Sequence, residues 1–217
     1  MEKTKTYEQV WFLTLLTLLA GFVNAYTYIT RDQTFAIMQT ANMSKIGIAI
    51  ALQDFEMLET PIFSILFCVL GGIFCEYLKN HPNPKYFNIW QRKSLFIEFV
   101  VFFIVGFVPV GMYDIVIISA FAFIAQMQLA TFGKWYGGMH NTTICTGDLR
   151  NFAQIFYSVV VKRDNKDKSI LRDILIMVTA FPIGSLVGVF ICNSLQQKGA
   201  WVGCIIIIML YFVTKQS

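Results

Sequence analysis

"FAIMQTANMSKIGIAIALQDF", residues 35–55, decides how this chain folds. Gln39, Thr40, Asn42, Ser44 and Lys45 crowd its first half, and a short apolar run follows before Gln53 and Asp54. A membrane-crossing helix needs about 20 predominantly apolar residues. This stretch is too short and too polar for a comfortable span, so its helix is expected to start inside a membrane rather than cross it.

The surrounding sequence justifies speaking of a membrane. Of 217 residues, 56% are hydrophobic, 14% are charged and 21 are Phe. A soluble domain carries about a quarter charged residues, so composition places the chain among integral membrane proteins. The formal charge of +4 is read as the Lys/Arg excess of cytoplasmic loops, with no nucleic-acid partner. Residues 10–28 lack a small-x-small cleavage site and are expected to stay as a span. Cys68, Cys75, Cys145, Cys192 and Cys204 show no CxxC and no His at ligand spacing, which leaves them as small buried hydrophobes. No metal or cofactor is expected.

Long apolar segments cover residues 9–29, 58–79, 94–113, 114–131, 170–194 and 199–215; two shorter ones, 42–53 and 147–161, open on polar residues. Loop charge distinguishes crossing from re-entry. If the two short segments re-enter, Lys3, Lys5, Lys79, Lys85, Arg92, Lys93, Lys134, Lys162, Arg163, Lys166, Lys168, Arg172 and Lys215 share one side, against Arg31 and Lys198 on the other. If all eight segments cross, the same charges split almost evenly. The positive-inside bias favours six crossing helices with both termini in the cytoplasm.

The halves echo each other. "TANM" at 40–43 returns as "TGDL" at 146–149, and "GGIFCEYL" at 71–78 returns weakly as "VGVFICNSL" at 187–195. The expected fold is therefore an all-α integral membrane protein of six transmembrane helices plus two re-entrant half-helices, arranged as a 3+3 inverted repeat. Residues 1–113 form the first repeat and 114–217 the second. Such repeats build many secondary transporters. Thr40 or Asn42 is expected to cap one short helix, and Thr146 or Asp148 the other.

"AGFVNAYTYI" (20–29) with "FAIMQTANM" (35–43), then "AQMQLA" (125–130) with "TTICTGDL" (142–149), resembles the YoaK-like family of bacterial integral membrane proteins, catalogued as domain of unknown function 1275. The chain keeps Gly21, Ala25, Thr40, Asn42, Gln128, Ala130, Thr146 and Gly147 of that pattern. It departs at Asn24, where the family tends to have Asp, at Ala41 in place of Gly, and at Leu129 in place of Asn. The resemblance implies an inner-membrane protein and supplies no activity.

Each polar candidate has two readings. Asn24 either contacts a ligand facing the half-helix tips or bonds between helices. Lys45 and Arg150 either add positive charge to an anion site or pair with Asp148 and Glu98 in a neutral network. Glu98 is expected to be shallow, with a solvated acid and a buried one both open and a structural role favoured. Gln126 and Gln128 line a cavity or join helices. His81, in "NHPNP", and His140 are expected at a surface or boundary. Ala180, Gly184 and Gly188 form a small-residue stripe for close helix packing, or for a homodimer, and Pro182 is a candidate kink.

Motifs for hydrolase, zinc, nucleotide and dinucleotide chemistry do not occur in the sequence, so no enzyme is expected. The expected function is transport or binding of a small anionic or zwitterionic solute. Asn24, Thr40, Asn42, Lys45, Gln128, Thr146, Asp148 and Arg150 would line its midplane site. The rival reading is a structural or regulatory membrane protein.

Overall fold

The computed structural model describes residues 5–81, 90–135, 138–143 and 145–214. Among them run eight α-helices: α1 (Val10–Thr30), α2 (Gln39–Leu52), α3 (Glu59–Asn80), α4 (Trp90–Val105), α5 (Asp114–Thr131), α6 (Cys145–Phe156), α7 (Lys168–Leu195) and α8 (Ala200–Val213). A two-residue ribbon, β1 (Lys134–Trp135) paired antiparallel with β2 (Gly138–Met139), precedes α6. Lys3, Lys85 and Lys215 of the charge pattern lie outside the described residues.

Four stretches are long and apolar enough to cross a membrane: Val10–Thr30, Glu56–Asn80, Asp114–Thr131 and Lys168–Val213. The last contains both α7 and α8, joined by a 3-10 turn at Gln196–Gly199. The remaining helix of the expected six, α4, has 16 residues. Large apolar side chains face outward; Ile73, Phe190 and Ile205 are 62%, 68% and 69% exposed, as befits helices whose solvent is hydrocarbon.

Helix α1 lies at the centre. Its threonines cost little there because each hydroxyl returns a hydrogen bond to its own helix: Thr14 to Val10, Thr17 to Leu13, Thr27 to Val23 and Thr30 to Tyr26. Three long-range helix pairs then build the bundle: α1 with α7, α3 with α5, and α4 with α8, while α2 lies on α3 and α6 on α7. Each pair closes on a glycine. A Cβ at Gly184 of α7 would fall on the Leu18 carbonyl of α1, one at Gly71 on the Phe123 carbonyl of α5, and one at Gly203 on the Phe102 ring of α4. Lipid offers helices no hydrophobic drive to associate, so small residues that let backbones approach supply the packing. The Ala180, Gly184, Gly188 stripe is thus an internal seam: Gly184 meets Leu18, and Gly188 meets Phe22 and Ala25. Helix α7 continues through Pro182.

Helix starts differ from expectation. Helix α2 begins at Gln39 and has no side-chain cap, so Thr40 and Asn42 are its second and fourth residues. Helix α6 begins at Cys145, which makes Thr146 and Asp148 the second and fourth there. None of the four is an N-cap.

Candidate functional site

A half-helix that starts inside a bundle needs partners for the backbone that leads into it. The lead-in to α2, residues 31–38, takes them from side chains. The Ala36 N–H donates to Thr27 Oγ1 at 3.3 Å and the Ile37 N–H to Asn24 Oδ1 at 3.4 Å. Gln39 Nε2 donates to the Ala36 carbonyl at 2.8 Å and to Ser64 Oγ of α3 at 3.2 Å. Asn42, 1% exposed, completes this knot by donating to Gln39 Oε1 at 3.1 Å and Ser64 Oγ at 3.0 Å.

The lead-in to α6 uses the ribbon and a buried His–Asp pair. His140 donates its backbone N–H to the Gly133 carbonyl at 3.2 Å. Its ring is 1% exposed. Nδ1 lies 3.1 Å from Asp148 Oδ2, and Nε2 lies 3.0 Å from Thr17 Oγ1. Asp148 also accepts the Asn141 N–H at 3.3 Å. Thr17 Oγ1 also lies 2.9 Å from the Leu13 carbonyl of its own helix.

Thr17 and Asn24 stand seven residues apart, two turns or about 10 Å along α1. Both lead-ins therefore meet the middle of the same helix. Between them lies a cavity lined by Ile37 and Thr143 of the lead-ins, Gln128 of α5 and apolar side chains, with about 10 Å³ of room for a water centre. That is roughly space for one water.

The eight expected residues fall in separate places. Asn24, Asn42, Gln128 and Asp148 are buried; Gln128 donates to the Leu16 carbonyl at 3.3 Å and so joins α5 to α1. Lys45 is half-buried, its Nζ 3.4 Å from Thr34 Oγ1. Thr40, Thr146 and Arg150 are exposed. Among the described residues no side-chain hydrogen bond or ion pair joins any two of the eight. Neither Lys45 nor Arg150 pairs with Asp148, because His140 holds it.

A family model described as "Protein of unknown function (DUF1275)" matches residues 12–213. The chain belongs to that family. No curated protein and no solved structure matches it. The DUF1275 match reaches from α1 to α8 and includes α2 and α6, which carry "TANM" and "TGDL".

Two buried groups of this DUF1275 chain, His140 and Arg31, run against the sequence expectation, and a third, Glu98, takes the interior one of its two readings. His140 is interior, not at a surface, because the lead-in that carries it enters the bundle. Glu98, for which solvent and interior were both open, is 1% exposed. It accepts from Ser94 Oγ at 3.3 Å, and Ser94 in turn lies 3.2 Å from Thr131 Oγ1. Arg31, counted as an outer-loop charge, has a wholly buried side chain. For Glu98 an amide of the same shape keeps the Ser94 bond and spares the burial of a carboxylate. Glu98→Gln is expected to leave the Tm unchanged or a few degrees higher; a drop of about 5 °C or more, on the order of 2 kcal/mol at this chain length, would show that the acid itself is needed.

Proposed function

We propose that the protein is a carrier of a small anionic or zwitterionic solute in the bacterial inner membrane. In this reading six helices cross, α2 and α6 re-enter, and both termini face the cytoplasm. Residues 1–113 and 114–217 form inverted halves. Exchanging the halves takes α1 to α5, α2 to α6, α3 to α7 and α4 to α8. The exchange carries the α1–α7 contact onto α5–α3, the α2–α3 contact onto α6–α7, and α4–α8 onto itself. It also takes Asn42 to Asp148, the fourth residue of each half-helix. This closure supports the inverted repeat of secondary transporters.

The observation that carries the solute reading is the His140–Asp148 pair, buried at the start of α6 against the middle of α1. Ionisable groups within a membrane bundle are expensive and mark substrate or ion paths. Asn24, Asn42, Gln128 and Asp148 form the inner wall of the site. Thr40, Lys45, Thr146 and Arg150 join it as the halves rock during alternating access. The solute's own gradient, or an ion gradient, drives the cycle.

A thermal-shift panel of small anions, amino acids, nucleobases and cations tests this on the parent, His140→Gln, Lys45→Ala and Arg150→Ala. A true solute at 100 times its Kd stabilises the parent by about 2.7 kcal/mol, and His140→Gln removes that shift. No shift with any solute, and a plain loss of Tm in His140→Gln, would favour the second reading, a structural or regulatory membrane protein. One observation supports that second reading: Asn24, Asn42, Gln128 and Asp148 all have partners within the protein.

A further inference from the structure

Away from the half-helices, α4 and α8 enclose a groove with about 240 Å³ of room whose walls expose no polar atom. Phe96 and Phe99 of α4 face Ile208, Tyr211 and Phe212 of α8 across it. Arg92 stands one turn before Phe96 and two before Phe99, on the same stripe of α4, and so heads the groove. Its guanidinium carbon lies 4.1 Å from the centre of the Tyr211 ring. The residue is 6% exposed, and its Nε has no hydrogen-bond partner. A buried charged donor left unmet is costly. Guanidinium satisfies itself best with the paired oxygens of a phosphate or carboxylate, while its face stays stacked on an aromatic ring.

We propose that this groove binds an anionic phospholipid, with an acyl chain lying along α4 and α8 and the phosphate on Arg92. Three observations select a lipid as the occupant. Phe96, Ile208 and Phe212 are 48%, 41% and 61% exposed, which opens the groove sideways, toward hydrocarbon in a membrane-embedded chain. None of the residues lining the groove is an acid, and Arg92 reaches it by stacking on the lining residue Tyr211. Arg92 and its neighbour Lys93 belong to the Lys/Arg-rich side of the sequence, and basic pockets between helices on that side attract anionic head groups. A zwitterionic lipid brings its own ammonium to the same place and gains less from Arg92.

Native mass spectrometry of the full-length protein, reconstituted with equal phosphatidylglycerol and phosphatidylcholine and stripped stepwise with detergent, tests the assignment. The parent is expected to retain phosphatidylglycerol about tenfold over phosphatidylcholine, the ratio that one charge-assisted contact supplies. Arg92→Gln should bring the two lipids level. Ile208→Trp, which fills the groove and leaves Arg92 in place, should lower the retention of both. Equal retention of the two lipids by the parent overturns the proposal, as does an Arg92→Gln protein that keeps the parent's preference. If Arg92→Gln does not fold, Ile208→Trp decides: unchanged retention in that variant contradicts a lipid in the groove.

Discussion

Arg31→Ala is expected to lower the melting temperature of the detergent-purified protein by about 10 °C. The guanidinium follows the C-terminus of α1 and reaches across to the connection between α4 and α5. Nη1 donates to the Pro109 carbonyl at 2.6 Å, the Met112 carbonyl at 3.3 Å and Asp114 Oδ1 at 3.2 Å. Nη2 donates to the Val108 carbonyl at 2.6 Å and to the Tyr26 hydroxyl at 3.3 Å. One side chain thus replaces water for three carbonyls and a carboxylate. Removing one partner of a buried charge pair costs about 3–5 kcal/mol because the groups left behind stay desolvated. At this chain length each kcal/mol moves the Tm by roughly 2–4 °C. Arg31→Lys should recover only part of the loss, since a single ammonium cannot fork between Val108 and Asp114. A Tm within about 2 °C of the parent in Arg31→Ala, less than 1 kcal/mol by the same scale, would refute the clamp.

Gly184→Leu is expected to leave no folded protein in detergent. The α1–α7 crossing is so close that even a Cβ at Gly184 would meet the Leu18 carbonyl, and one at Gly21 would meet the Phe181 carbonyl from the other side. Ser185 Oγ adds a bond across this seam, to the Gly21 carbonyl at 2.9 Å. These obstacles are backbone, which cannot rotate away as a side chain can. Overpacking a core typically costs 1–3 kcal/mol; here the two helices must separate, and the lead-ins that rest on α1 lose their support. Gly47 is the control, because a Cβ there meets nothing within 4 Å. Gly47→Ala should express normally and gain up to about 1 kcal/mol of helix propensity. A monodisperse Gly184→Leu protein with an unchanged Tm would mean that α1 and α7 do not pack this closely.

Periodicity and segment length made the helices legible. The segments read at 9–29, 42–53, 58–79 and 114–131 match α1, α2, α3 and α5 to within a few residues. The "TANM" and "TGDL" echo placed Asn42 and Asp148 in matching positions of α2 and α6, and both are buried. Tertiary partners were the part that could not be read. Thr40 and Asn42 have good capping chemistry, but Gln39 reaches back to Ala36 and moves the helix start ahead of them. Asp148 was free to pair with any cation until the β1–β2 ribbon delivered His140 to it. Residues 138–143 lead into α6 as residues 35–39 lead into α2, and the same need for shielded backbone places His140 in the interior. Arg31 gave little local signal: apart from the Tyr26 hydroxyl, the side-chain partners of its guanidinium lie 77–83 residues away in the chain.

The proposed re-entry of α2 and α6 is tested most directly by side-specific cysteine labelling in membrane vesicles. Single cysteines at Gln33 and Phe55 bracket α2, and single cysteines at Lys134 and Lys166 bracket α6, each in a background where the five native cysteines are replaced. An impermeant maleimide should modify Gln33→Cys and Phe55→Cys from one face of the membrane, and Lys134→Cys and Lys166→Cys from the opposite face. If the two members of either pair label from opposite faces, that short helix crosses the membrane and the inverted repeat is wrong.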